Sequence, residues 1–272
     1  MRGGMATISH RHAVANNPLV EGYYPAKLHS WIQYLDANNL YGCSMSEPLP
    51  VGQFRFLEQH EIDNFDSAKL QANATFGKTM EQVRNRVNIR LIADPKKLAK
   101  AVSRPTFRQA ELINDDLTMV RGARQRVTLN KPISVGFAIL DISKSIMYQF
   151  YYDYLKPKYG YNCTLLLTDT DYFCCHIQTD DMYGDMGENA SLFDTSNLDP
   201  THPLYSKTNH RVLGKCKSET GSVASREFVG LRAKMYSLHV PADKKQSKIR
   251  VKGIKKSHVK KNVCHKHFLN TL

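Results

Sequence analysis

Apolar residues recur at helical spacing over residues 137–155, which predicts a long helix in that part of the chain. The repeating positions are Leu140, Ile142, Ile146, Met147, Phe150 and Tyr154. These side chains share one helical face, so we expect the helix to pack in the core. Pro157 lacks a backbone donor, and the helix is therefore expected to end before it.

Two short apolar runs flank a polar tip in residues 163–177, CTLLLTDTDYFCCHI. This pattern is typical of a β-hairpin, and it places Asp169 and Asp171 at the tip. Successive side chains of a strand point to opposite faces. The neighbours Cys174 and Cys175 are therefore expected on opposite sides of the sheet.

Residues 226–240, REFVGLRAKMYSLHV, are predicted to form another strand. Alternation along this strand would place Arg232, Lys234 and Tyr236 on one face. Strands and helices follow one another without regular β-α-β order, which predicts an α+β fold. Neither a repeat nor a flexible linker is evident, so we expect one compact unit followed by a basic tail.

The charge of the chain favours a polyanionic partner. Thirty-eight Lys and Arg against 25 Asp and Glu give a net charge of +13, which suits a ligand held through its phosphates. One basic segment spans residues 84–108, and another spans residues 244–272 with ten Lys or Arg and no acid. This second segment forms either part of a nucleic-acid track or a disordered charged terminus.

The sequence has no apolar run long enough for a membrane span and no secretory signal. We therefore expect an intracellular protein without a membrane partner. The six cysteines contain no C-x-x-C pair, so neither a disulfide framework nor a zinc site is indicated.

Three carboxylates are the predicted metal ligands. Asp36 follows the apolar run of Ile32, Tyr34 and Leu35, as expected where a strand delivers a carboxylate into a turn. Asp169 and Asp171 are one residue apart, and like charges this close need a compensating cation. Hard oxygen ligands suit Mg²⁺ or Mn²⁺, and two such ions roughly 3.5–4 Å apart can activate a hydroxyl and steady a leaving pyrophosphate. Alternatively, Asp36 caps a turn and residues 168–171 form a solvated loop.

Lys69, Asn73 and Phe76 fall on one helical face, because they are spaced four and seven residues along the chain. Such a face could grip a triphosphate with the lysine and stack a base on the ring, while Gly77 allows close approach. An ordinary amphipathic helix is the alternative interpretation.

In order and spacing, these pieces resemble the motifs of family B DNA polymerases, most closely the protein-primed branch found in Polinton/Maverick-type mobile elements and related viruses. Residues 36–42, DANNLYG, resemble the motif D-x-x-S-L-Y-P, and residues 69–77, KLQANATFG, resemble K-x-x-x-N-S-x-Y-G. Residues 168–172, TDTDY, resemble Y-x-D-T-D-S, with Leu167 at the Tyr position. Residues 234–236, KMY, match the motif K-x-Y, and residues 252–256, KGIKK, resemble the entry to the thumb.

The resemblance implies a DNA-directed DNA polymerase that uses two Mg²⁺ or Mn²⁺ ions. Its implied partners are a DNA primer-template, dNTPs and, in this branch, a terminal protein that supplies the priming hydroxyl. Asp36 and Asp171 would be the principal metal ligands, with Asp169 in support, and Tyr41 would be the steric gate. Lys69 would meet the triphosphate. The residues implied at the nascent base pair are Asn73, Phe76 and Gly77, and those implied at the DNA are Arg232, Lys234, Tyr236, Lys252, Lys255 and Lys256.

The implied fold is a family B palm, an antiparallel sheet packed on helices, with partial fingers and the start of the thumb. Its segments are a first palm piece at 1–57, a fingers remnant at 58–110, the palm core at 111–243 and the thumb start at 244–272.

The resemblance also implies that parts of a polymerase are missing. Only 33 positions separate Asp36 from Lys69, far fewer than in the family, and no exonuclease domain precedes Asp36. We therefore expect weak or no polymerase activity. A noncatalytic nucleic-acid-binding remnant of a mobile element is the alternative, and an unfolded remnant without function is a third.

Overall fold

The computed structural model of the chain describes residues 4–49, 72–124, 126–241 and 247–272. Two compact units are present, one formed by Met1–Thr75 with Phe137–Leu272 and the other by Phe76–Gly136. The prediction of a single compact unit is therefore wrong. No linker pattern in the sequence marks the division, because the smaller unit is inserted into the larger one rather than joined end to end. The segment boundaries implied by the resemblance stay a prediction.

The strands are β1 Ala6–Ile8, β2 His12–Val14, β3 Ser30–Ala37, β4 Asn88–Ile92, β5 Phe107–Asn114, β6 Leu117–Gly122, β7 Cys163–Asp169, β8 Tyr172–Gln178, β9 Cys216–Ser218, β10 Glu227–Arg232, β11 Met235–His239 and β12 Lys248–Val251. The α-helices are α1 Leu40–Ser46, α2 Ala72–Thr79, α3 Pro95–Val102, α4 Ile133–Gln149, α5 Lys156–Tyr159, α6 Met182–Glu188, α7 Lys256–Asn262 and α8 His265–Leu269. All strand pairs between these elements are antiparallel. The α+β class predicted from the sequence is confirmed.

The larger unit is organised around a five-stranded sheet with the order β1-β7-β8-β3-β9. Strand β3 is buried along its length except at Asp36, because both faces of the sheet are covered. One face carries Trp31, Leu35, Phe173, Cys175 and Ile177 and packs on side chains of α4, α5 and α6. The opposite face carries Ile32, Tyr34, Leu166 and Cys174 and packs on a second sheet. Burial of this two-sided core supplies the main drive for folding.

The predicted hairpin is confirmed in β7 and β8, which pair from Cys163 opposite Ile177 to Asp169 opposite Tyr172. Cys174 and Cys175 belong to different core clusters on the two faces of the sheet, as predicted. A register shift between Leu165 and Leu167 marks a bulge in β7.

The second sheet has the order β12-β11-β10-β2. The single strand predicted over 226–240 is wrong, because the chain reverses between Arg232 and Met235, which face each other across β10 and β11. Lys234 takes a left-handed conformation with φ of 60° in the two-residue turn. The predicted common face of Arg232, Lys234 and Tyr236 therefore does not exist. A two-residue turn without Gly or Asn leaves the alternation uninterrupted and gives no sequence signal.

The predicted core helix is confirmed, but it does not end before Pro157. Helix α4 continues through a π-helical turn, Phe150–Leu155, directly into α5, which contains Pro157 in its first turn. In the wider turn the Lys156 N–H donates to the Tyr151 C=O, five residues back. Because the hydrogen-bond register changes just before the proline, its missing donor is tolerated. The backbone leaves the helix at Gly160, whose φ is 54°.

Residues 247–272 are ordered in the larger unit, so the interpretation of this segment as a disordered terminus is wrong for these residues. Strand β12 pairs with β11. The short helices α7 and α8 bury Val259 and Phe268 respectively. Within the described residues, no helix has the length and apolar content needed to cross a membrane.

The smaller unit consists of a three-stranded sheet with the order β4-β6-β5 and the helix α3. Asp94 caps this helix by accepting hydrogen bonds from the N–H groups of Lys96 and Lys97, and Pro95 occupies the first turn. Val120 of β6 is buried.

Candidate active site

Asp36 lies near the end of β3, in the middle of the large sheet. It stands opposite Tyr172 of β8 on one side and Lys217 of β9 on the other. The N–H of the next residue, Ala37, donates to the C=O of Asp171 at 2.9 Å. This backbone contact brings Asp36 and Asp171 side by side, as the sequence analysis required.

The turn between β7 and β8 holds the other two acidic residues. Asp169 is the last residue of β7, and Thr170 adopts a left-handed conformation with φ of 61°. The Thr170 N–H donates to the C=O of Met5 at 2.8 Å, just before β1. Residues near the beginning of the chain therefore fix the tip that presents the acids, a role that the sequence analysis did not predict.

The electrostatics of the carboxylate pair are unfavourable without a cation. Burial, together with the charges of Asp171 and Glu219, raises the pKa of Asp36 from 3.8 to about 7. Burial also raises the pKa of Asp171, and the charge of Asp169 adds to this effect. Two half-buried carboxylates whose charged forms are destabilised in this way are suited to binding a hard cation.

Asp169 differs from the pair because it already has a cationic partner. The Lys234 ammonium donates to both carboxylate oxygens of Asp169, with a distance of 2.7 Å to Oδ2. The side chain of Asp169 is only 15% exposed, so the pairing offsets the cost of burying its charge. The turn conformation of Lys234 thus places its ammonium at the acidic tip.

Tyr41 is held near the same acids by helix α1. Asn39, at φ of 41°, caps this helix, and its side chain accepts a hydrogen bond from the Gly42 N–H. A Cβ at position 42 would collide with the Asn39 side chain, so a larger residue there would displace the cap. Burial raises the pKa of Tyr41, and so do the charges of Asp171 and Asp169. The phenol is therefore half-buried and close to the carboxylates.

The loop after Asp36 is anchored by a buried carboxylate, Asp194. Its Oδ2 accepts hydrogen bonds from the Asn38 side chain at 2.7 Å and from the Arg211 N–H at 3.0 Å, and its Oδ1 accepts one from the Ser196 N–H. Burial alone would raise the pKa of Asp194, but these hydrogen bonds lower it from 3.8 to about 2. The sequence analysis missed this anchor.

Replacing Asp194 with asparagine is expected to lower the free energy of unfolding by about 2 kcal/mol at neutral pH, because the amide cannot accept all these hydrogen bonds. Since the folded-state pKa of Asp194 is depressed from 3.8 to about 2, its contribution is present above the unfolded value and disappears as the pH falls toward the folded one. Urea unfolding of the wild type and the variant between about pH 7 and pH 3 tests this. The exposed Asp180→Asn is the control, and a difference that does not shrink on acidification would contradict the prediction.

A basic groove of about 560 Å³ opens beside Asp169. The ionisable and aromatic side chains that line it are Asp169, Tyr172, Lys234, Tyr236, Arg250, Lys252, Lys256 and Lys260. Four of the predicted DNA-contacting residues are in this set, whereas Arg232 and Lys255 are exposed and do not line the groove. The ring of Tyr236 is buried, and its hydroxyl lies 2.6 Å from that of Tyr34.

The predicted nucleotide-binding residues other than Tyr41 lie in helix α2 or outside the described residues. Lys69 lies outside them. Asn73 is in helix α2, and Phe76 and Gly77 lie in the same helix within the smaller unit. Their roles stay a prediction.

Glu219 is a further acidic residue that the sequence analysis missed. It follows β9, and its N–H donates to the C=O of Tyr34 at 2.8 Å. Its carboxylate pairs with Lys248 at 3.0 Å and raises the pKa of both Asp36 and Asp171. The segment around Glu219 is polar and lacks a periodic pattern, so only the pairing of β3 with β9 reveals its position.

Within the part of the chain that the structure describes, no three His, Cys, Asp or Glu side chains are arranged to hold a metal ion. The two oxygen-donor groups of Asp36 and Asp171 have the chemistry that Mg²⁺ or Mn²⁺ prefers, and their raised pKa values indicate a need for positive charge. Asp36 and Asp171 are therefore the candidate ligands of a divalent cation, whereas Asp169 already forms an ion pair with Lys234.

Comparisons with known proteins add no identification: no protein-family model matches the chain, and a search of curated proteins found no match.

Proposed function

We propose that this chain is a DNA-directed DNA polymerase by descent, related to the protein-primed family B enzymes, and that it carries out metal-assisted nucleotidyl transfer. The observation that carries the proposal is the convergence of Asp36 and Asp171 beside a basic groove. The two residues come from separate motifs, and their meeting is what a shared metal site requires. In this proposal the five-stranded sheet is the palm, and residues 244–272 are the start of the thumb.

Asp36 and Asp171 would hold the metal, with Asp169 as a supporting residue. Two bound Mg²⁺ or Mn²⁺ ions would activate the primer hydroxyl and neutralise the charge of the leaving pyrophosphate. The chain itself supplies orientation: the sheet fixes the acidic pair, and the Ala37 contact holds the pair together. Tyr41, which is near Asp171 and Asp169, would limit the space beside the reacting sugar.

The groove supports a role in holding the primer-template through its phosphates. Lys234, Lys252 and Lys256 line it together with Arg250 and Lys260, and cations of this kind bind nucleic acid without regard to sequence. Lys234 also touches Asp169, which links the groove to the acidic tip. A dNTP and a terminal protein primer complete the set of proposed partners.

A noncatalytic nucleic-acid-binding protein is the second candidate. It is favoured by the pairing of Asp169 with Lys234 and by the absence of a three-ligand metal cluster among the described residues. The short connection between Asp36 and Lys69 also favours the noncatalytic candidate. We therefore expect any primer-extension activity of this chain to be weak.

Primer extension on a short DNA primer-template with Mg²⁺ or Mn²⁺ tests the proposal. Metal-dependent addition of the templated nucleotide is the expected result. Binding of the same DNA, measured by fluorescence anisotropy, is expected to weaken steeply with salt, by roughly 10³-fold between 50 and 200 mM if about six phosphates are contacted. Salt-sensitive binding without extension in either metal would reject catalysis and support the second candidate. Absence of both activities would reject the two together.

A further inference from the structure

Arg250 occupies a special position in the basic groove. It lies in β12 directly opposite Tyr236 of β11 and lines the groove beside Lys234 and Lys252. The resemblance to polymerase motifs gives this position no role, because it falls between the residues that match K-x-Y and those that match the thumb entry.

Three tyrosines, Tyr236, Tyr34 and Tyr172, neighbour the Arg250 side chain. Arg250 stands directly opposite Tyr236 in the paired strands, and its guanidinium interacts electrostatically with Tyr236, Tyr34 and Tyr172. The Tyr236 hydroxyl is in turn 2.6 Å from that of Tyr34, whose ring is buried in the sheet. Burial raises the pKa of both tyrosines, so these partners are neutral. The tyrosines therefore surround the arginine with polar groups without cancelling its charge.

The charge of Arg250 is not balanced by an acid in the described part of the chain. No carboxylate forms an ion pair with it there, whereas Lys248, two residues earlier on the same face of β12, pairs with Glu219 at 3.0 Å. Among the described residues that line the groove, the acid is Asp169, and it is paired with Lys234. A planar, preorganised guanidinium without a carboxylate partner is suited to binding phosphate oxygens through two parallel hydrogen bonds.

We propose that Arg250 contacts a backbone phosphate of the primer strand and positions that strand beside the acidic tip. This inference rests on the proposed function for the identity of the strand, and it goes beyond that function by naming the residue that fixes the register of the strand. Arg250 is thus a positioning residue oriented by Tyr236.

A nucleic-acid strand explains the groove better than a free triphosphate does. The cations come from three successive elements: Lys234 from the β10–β11 turn, Arg250 from β12, and Lys256 with Lys260 from α7. Lys256 and Lys260 are four residues apart and share one side of the helix. A series of cations spread over separate elements matches a chain of phosphates.

The first test measures binding of a primer-template in the absence of nucleotide and metal. Arg250→Gln is expected to weaken binding roughly tenfold at about 0.1 M salt and to reduce the slope of log K against log salt by about 1. Arg250→Lys should restore most of the slope but only part of the affinity, because an ammonium cannot form the bidentate contact. Arg226→Gln is the matched control, since Arg226 already faces Glu21 at 3.5 Å, and it should bind like the wild type.

The second test locates the phosphate. Single methylphosphonates are placed in turn at the last few linkages of the primer, and affinity is measured for the wild type and for Arg250→Gln. The wild type should be weakened at one linkage, and the variant should be insensitive at that linkage alone. If Arg250 has only a structural role, the wild type and Arg250→Gln should lose affinity at the same linkages. That result would overturn the proposal.

Two further outcomes distinguish a failure of the strand contact by Arg250 from a failure of the proposed catalysis. If Arg250→Gln leaves DNA affinity and salt slope unchanged but weakens dNTP binding, the groove binds triphosphate and the proposal is wrong. If the wild type shows no primer extension while the phosphate scan behaves as expected, catalysis is rejected and the strand contact of Arg250 stands.

Discussion

Replacing either Asp36 or Asp171 with asparagine is expected to reduce single-turnover primer extension by about 1000-fold, equivalent to roughly 4 kcal/mol of activation free energy. The two carboxylates are held side by side by the hydrogen bond from the Ala37 N–H to the Asp171 C=O. An amide of the same shape preserves packing but removes the charge that a divalent cation needs. The measurement is the rate of single-nucleotide addition at saturating primer-template, with Mg²⁺ and with Mn²⁺.

Measurements of stability and DNA affinity are the controls for the expected loss of primer extension in these two variants. Burial and the charge of Asp171 raise the pKa of Asp36, and burial and the charge of Asp169 raise the pKa of Asp171, so removing one charge relieves repulsion in the cluster. The variants should therefore unfold at the same temperature as the wild type or a higher one, and should bind DNA at least as well. Asp141→Asn is the matched control, because Asp141 is exposed on α4 and, among the described residues, pairs with Lys144. Wild-type rates in both Asp36→Asn and Asp171→Asn would rule out the proposed metal pair.

The parts of the fold that the sequence predicted are those whose physical signal is local. The helix around Leu140 and the hairpin at residues 163–177 follow from the spacing of apolar residues, which records directly which side of an element is buried. The position of Asp36 next to Asp171 was predicted from the need of a metal site for several carboxylates and from the resemblance to polymerase motifs. Periodicity places each acid at the end of a strand, but it does not pair the strands.

The misses have three physical origins. The turn at residues 233–234 uses a lysine in a left-handed conformation, where glycine or asparagine would have marked the reversal. The contributions of Glu219, Asp194 and Met5 depend on contacts between segments that are distant in sequence, and short polar segments carry no periodic signal of such contacts. Pro157 was a third case, because a change of helical register compensates for its missing donor.

Replacing Tyr41 with alanine is expected to raise the incorporation of ribonucleotides relative to deoxyribonucleotides by roughly 100-fold, the scale on which a pocket discriminates a single added hydroxyl by size. Helix α1 begins immediately after the cap at Asn39 and carries the half-buried Tyr41 to the acidic residues. A rigid ring next to the carboxylates would occupy the space that a 2′-hydroxyl needs. The measurement is the ratio of kcat/KM for a deoxyribonucleotide to that for the matching ribonucleotide.

Tyr41→Phe separates the effect of the ring from that of the hydroxyl. The ring excludes volume in both the wild type and the phenylalanine variant, so discrimination should be retained in Tyr41→Phe and lost only in Tyr41→Ala. If both variants lose it equally, the hydroxyl acts through a polar contact and the ring is not a steric gate. If neither variant loses discrimination, Tyr41 lies away from the incoming sugar, although the charges of Asp171 and Asp169 act on its hydroxyl. The alanine variant must also keep deoxyribonucleotide incorporation measurable, because a general loss of activity would indicate that the ring supports the acidic pair rather than selecting the sugar.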